Sequence, residues 1–172
     1  MPDVQHSFDV GAAPREVLDF MLDDAFANRL KGRLKRISHI EPGKLEEMED
    51  GRLRRSGRFT APTELPRPLR RWEDKAPDEV HWDEIWHIDP ETFRIDTEIV
   101  ADVPDHWHDY YDNRGQLHIS PIGEGRSRVR QQLTFDLNAP LGLGMFLNRS
   151  IKGVIDDMFE AYEAVVVEEF GT

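Results

Sequence analysis

The C-terminal stretch constrains this chain more than any other part. Phe146, Leu147, Ile151, Val154, Ile155, Met158, Phe159, Tyr162, Val165 and Val166 recur at intervals of three and four, with Asp156, Asp157, Glu160 and Glu163 opposite them. Starting after Pro140, this is one long amphipathic helix whose apolar stripe has to be covered. The segments before it are mostly strand-like. A sheet with one apolar face and a helix with a matching stripe bury each other, so the predicted class is α+β: a curved antiparallel sheet wrapped around a long C-terminal helix.

Val4, His6, Phe8 and Val10 alternate with polar neighbours and describe a first strand, which Gly11 ends. Pro14 then marks a helix start, with Val17, Leu18, Met21 and Leu22 at helical spacing, and a second short helix ends near Leu30. Seven strand-like segments follow: Leu34 to Glu41, Lys44 to Glu49, Gly51 to Ala61, Glu79 to Asp89, Phe93 to Ala101, His106 to Pro121 and Arg126 to Leu137. The separators, such as Pro42-Gly43, Asp50-Gly51 and Asp89-Pro90, are turn dipeptides, which predicts an antiparallel meander. The three-proline piece Pro62 to Pro68 reads as a loop between strands.

A length of 172 residues suits one domain, spanning 1–172, and the formal charge of 22 − 34 = −12 argues against nucleic acid or an anionic membrane as partner. With no cysteine, thiol catalysis and thiolate metal sites are excluded, and a cytoplasmic location is the expectation. No run approaches the roughly 18 apolar residues of a membrane span, and the opening MPDVQHSFDV lacks the pattern of a secretion signal, so no stable membrane insertion is expected.

The opening HSFDVGAAPREVLDFMLDDAF, a strand leading into a Pro-marked helix, and the run WHDYYDNRGQLHISPIGEGRSRVRQQLTFDLNAPLG before the long helix resemble the START-like superfamily, which includes lipid-transfer domains, Bet v 1 type allergens and polyketide cyclases. Within it the chain is most similar to a bacterial family of unknown function. The resemblance covers the whole chain and implies the helix-grip fold, with a hydrophobic cavity between sheet and helix for a lipid, sterol or polyketide-like molecule. Fold does not determine function, so the site has to come from residues.

In Val80-His81-Trp82-Asp83-Glu84-Ile85-Trp86-His87-Ile88, period-two alternation puts Glu84 on the same face as Trp82 and Trp86. A carboxylate there is solvated at an opening, paired with a cation, or held protonated, because an unpaired buried charge costs several kcal/mol. Arg55 is the natural cation. The other polar residues on apolar rows are Thr97, Asp109, Tyr111, Asn113 and Gln131, while Phe59, Phe93, Met158 and Phe159 supply walls. The candidate ligand-binding set is therefore Arg55, Phe59, Trp82, Glu84, Trp86, Phe93, Thr97, Asp109, Tyr111, Asn113, Gln131, Met158 and Phe159.

No catalytic residue is assigned and no cofactor is called for. His106 and His108 have a spacing that suits a metal if His81, His87 or His118 joins them, but they lie opposite Trp107 and Tyr111 and read as exposed imidazoles. No serine sits in a nucleophile elbow. The basic run Arg29 to Arg36 reads as a solvated edge or a phosphate contact, and the Leu141 to Phe146 stretch as a tucked loop or a gate. The leading reading is a carrier or sensor of a hydrophobic small molecule. A polyketide cyclase or dehydratase using Glu84, Asp109 or Tyr111 is the second, and a protein-interaction module with a filled core the third.

Overall fold

The computed structural model describes residues 3–63, 67, 70, 78–102, 111–137 and 143–172, with the side chains of 111, 137, 143–147 and 150 excepted. The chain runs β1 (Asp3–Val10), α1 (Pro14–Leu22), α2 (Asp24–Lys31), β2 (His39–Glu47), β3 (Leu53–Pro62), β4 (Glu79–Asp89), β5 (Arg94–Ala101), β6 (Tyr111–Gly123), β7 (Arg126–Leu137) and α3 (Leu143–Phe170). The seven strands form one antiparallel sheet in the order β1-β7-β6-β5-β4-β3-β2. As the sequence predicts, two short helices follow the first strand and a long helix ends the chain.

The apolar periodicities meet where they must. Along α3, Met158, Ala161, Tyr162, Val165 and Val166 are buried against Phe8, Val10, Ile88, Ile95, Ile119 and Val129 of the strands, and Ile155 is buried with Val4, Leu133 and Phe135. Burying side chains of this size stabilises the fold by roughly 1.5–3 kcal/mol each before entropy is counted. The helices α1 and α2 add Val17, Leu18, Met21, Phe26 and Leu30 to the same core. No helix among the described residues is long and apolar enough to cross a membrane.

Two local expectations are corrected. Pro42-Gly43 is not a turn between two strands: β2 continues through it with a register shift against β3 between Pro42 and Leu45. Proline lacks the donor that a ladder needs, and an edge strand can absorb it as a bulge. A Cβ on Gly43 would lie 2.0 Å from the Ser56 carbonyl oxygen, so only glycine fits this close approach. Phe93 is not in β5. It stands in the turn before that strand with φ of 55°, unusual for a side chain of its size.

The basic run also finds partners. Arg29 pairs with Glu169 at 2.7 Å and Arg33 with Glu168, while the Lys35 backbone N–H donates to Asp157. It therefore ties the segment after α2 to the terminal helix.

Candidate functional site

Alternation along β4 turns Trp82, Glu84, Trp86 and Ile88 toward α3, and Glu84 is 6% exposed. Its neighbours are Gly57 on β3 and Ile99 on β5, so the carboxyl lies in the middle strands of the sheet. One oxygen, Oε1, accepts a hydrogen bond from the Trp86 indole Nε1 at 2.7 Å. The other, Oε2, is buried without a partner among the described residues. Burial pushes the carboxyl up to about 7, against a smaller lowering by the Trp86 hydrogen bond. Of the three states open to this residue, the structure favours the last: with neither solvent nor a cation beside it among the described residues, the carboxyl holds its proton more tightly than an exposed glutamate does.

Arg55 is not its partner. The guanidinium, 8% exposed, donates from Nε to the Gly43 carbonyl at 3.1 Å, from Nη1 to the Leu22 carbonyl at 2.6 Å and from Nη2 to Asp24 at 2.5 Å. Each of its three nitrogens is engaged. Arg55 fastens the junction of α1 and α2 to the β2 bulge, and Glu84 keeps its own environment.

Between sheet and helix lie two cavities of about 50 Å³ each. The first is lined by Met21, Phe26 and Leu30 of the short helices, Ile40, Pro42, Arg55 and Phe59 of β2 and β3, and Glu84, Trp86 and Tyr162. The second is bounded by Ile95, Thr97 and Ile99 of β5, Leu117, Gln131 and Leu133 of β6 and β7, Ile155, Met158 and Phe159 of α3, and again Glu84, Trp86 and Tyr162. These three side chains form a wall common to both. Tyr162 belongs to the buried stripe of α3, and its hydroxyl is pushed well above the ordinary tyrosine range by burial and by the Glu84 charge.

The structure thus brings Arg55, Phe59, Glu84, Trp86, Thr97, Gln131, Met158 and Phe159 onto the two cavities. Gln131, 3% exposed, leaves its side-chain oxygen without a partner among the described residues, a second orphan acceptor on the second cavity. Trp82 stands behind the wall, its ring stacked on Phe59 at 5.5 Å between centroids. Phe93 lies under the Arg15 guanidinium at 5.5 Å, away from both cavities. Asn113 stitches the sheet: its amide accepts from the Ile99 N–H and donates to the Ile99 carbonyl, continuing the β5–β6 ladder beyond the Thr97–Gly115 pair. Asp109 and the histidines at 106 and 108 lie outside the described residues, as do the side chains of Tyr111 and of the Leu141 to Phe146 stretch.

Sequence reasoning missed Tyr162 as a wall residue because helical spacing marks it only as stripe. Its hydroxyl was the signal, since a phenol on a buried stripe needs a reason.

No protein-family model matches the chain, and no curated protein matches it in sequence. Solved structures do. A protein from Thermus thermophilus, TTHA0849, is 21% identical with a TM-score of 0.62, over 98% of this chain and 99% of that one. The Zhui aromatase/cyclase from Streptomyces sp. R1128 is 15% identical with a TM-score of 0.65, over 98% and 92%. A START superfamily protein from Mycobacterium smegmatis is 14% identical with a TM-score of 0.57, over 96% and 97%. Agreement along nearly the full length of each chain identifies the architecture as the helix-grip fold.

Proposed function

We propose that the chain binds a small, largely apolar molecule between the sheet and the terminal helix, as a carrier or sensor. The observation that carries this reading is the pair of apolar cavities on either side of the Glu84, Trp86 and Tyr162 wall. Aromatic side chains from β3, β4, α2 and α3 offer broad apolar contact, and polar atoms are few, the combination that small-molecule sites use. At about 50 Å³ each, the cavities suit a guest of a few heavy atoms to one ring, whereas drug-sized sites run to several hundred cubic ångströms. A lipid, sterol or polyketide would require Trp86 to leave Glu84 so that the two spaces join.

Orienting the guest falls to Glu84 and not to Arg55, whose nitrogens are committed to the α1–α2 junction. A cyclase or dehydratase is the second reading, favoured by one observation: Tyr162 stands on the same wall as Glu84, so two titratable groups face one space.

Native mass spectrometry of freshly purified protein tests the binding role. The expected spectrum carries a neutral organic adduct that leaves on activation. Bare polypeptide, together with no rise in melting temperature on adding small aromatics, would favour the interaction module with a filled core. A bound molecule that is chemically converted, with conversion lost in Glu84→Gln, would favour the enzyme.

A further inference from the structure

The second cavity has few polar groups: Tyr162, Glu84, whose Oε2 has no partner among the described residues, and Gln131, whose Oε1 has none among them either; Thr97, Gln116 and Gln132 border it without closing either gap. Both side chains are more than nine-tenths buried. An orphan buried acceptor costs about 1–3 kcal/mol, so a guest that supplies a donor gains what the empty site forgoes. Among the described residues no cationic side chain lines this cavity, and Arg55, on its neighbour, has its three nitrogens engaged elsewhere. An anionic guest would meet two unpaired acceptors, one of them the Glu84 carboxyl, with no counter-charge, at a desolvation cost of several kcal/mol.

An ammonium suits Glu84 only when that group is ionised, and carries its own desolvation cost. A hydroxyl both donates and accepts, so it satisfies Oε2 whether or not the carboxyl holds its proton; when it accepts from the protonated carboxyl, its own O–H is free to donate to Gln131, and a second hydroxyl does so when the carboxyl is ionised. We infer that the second cavity selects neutral, hydroxyl-bearing apolar molecules over carboxylates, with Glu84 Oε2 and Gln131 Oε1 as the two hydroxyl anchors. This specificity rests on the binding role proposed above.

Toluene, phenol and benzoate are three single-ring probes of similar size that differ in the polar group. Isothermal titration calorimetry at pH 8 should show phenol binding about tenfold tighter than toluene, as one hydrogen bond to a buried acceptor implies, and benzoate giving no saturable heat. Glu84→Leu and Gln131→Leu should each narrow the preference for phenol, and the double variant should erase it while toluene still binds. Either single variant that folds carries the comparison if the double one does not.

Equal affinity for phenol and toluene means that bridging waters alone serve the two acceptors. That overturns this specificity and leaves the binding role standing. Benzoate binding as tightly as phenol, or a phenol preference untouched in the Leu variants, overturns it as well. If none of the three probes binds, the binding role fails and this inference falls with it.

Discussion

Two buried charged side chains lie within one cavity wall, and they are treated in opposite ways. At the α1–α2 corner, Arg55 reaches out from β3 and commits its nitrogens to two carbonyls and the Asp24 carboxylate. At the sheet centre, Glu84 has one indole N–H for its two oxygens. A fully bonded buried ion holds structure together. One left half-bonded is destabilising in the empty protein, and such a cost marks a place where something is meant to arrive, or where a proton is held.

Breaking the first corner should have the largest effect. Arg55→Ala strands the Leu22 and Gly43 carbonyls, and chemical denaturation should report a loss of several kcal/mol, at about 1–3 kcal/mol for each acceptor left unpaired. Relieving the second is the reverse experiment. Glu84 has a folded-state value raised from 4.5 to about 7 by burial, so the native protein holds a proton that the unfolded chain releases across that window. Stability therefore falls as pH rises from 4.5 to about 7, and above that the whole cost is present, about 3 kcal/mol. Glu84→Gln keeps an acceptor for the Trp86 indole and carries no charge. Its stability should match the parent at pH 4.5 and exceed it by up to about 3 kcal/mol at pH 8. A gain independent of pH would mean that ionisation of Glu84 is not the cause.

The bulge that receives Arg55 is the next point of attack. Gly43→Ala drives a methyl against the Ser56 carbonyl, and the edge strand should shift at a cost of about 1–3 kcal/mol. The smallest effect is expected at Asp24. Its side chain is 79% exposed, so Asp24→Asn should change stability by less than about 1 kcal/mol. A loss as large as that of Arg55→Ala would move the weight of the corner from the carbonyls to the ion pair.

The comparison also separates what the chain makes legible from what it does not. Period-two alternation is a local property, so the sequence already places Glu84 between two tryptophans on the inner face. The three-and-four spacing of α3, likewise local, identifies its buried stripe from Ile155 to Val166. Arg55 misleads because its partners, Leu22, Asp24 and Gly43, come from other elements, and strand periodicity says nothing about which helix junction packs over a strand. Pro42-Gly43 has the composition of a turn, and only pairing with β3 reveals a bulge. Phe93 carries strand propensity but is taken by the turn, where Arg15 covers its ring. Gln131 was legible as a polar residue on an apolar row. That its oxygen would lack a partner depends on the packing of the elements around it.

The most direct test of a guest space behind the Glu84, Trp86 and Tyr162 wall is an NMR titration of the labelled protein with toluene, read by intermolecular NOEs. Cross-peaks from the toluene methyl to the Trp86 indole, to Tyr162 and to the Met158 methyl, saturating together with displacement of the Trp86 indole N–H resonance, are the predicted result. Cross-peaks confined to exposed side chains such as Val80 and Val100, with the Trp86 N–H unmoved at saturating toluene, would contradict it.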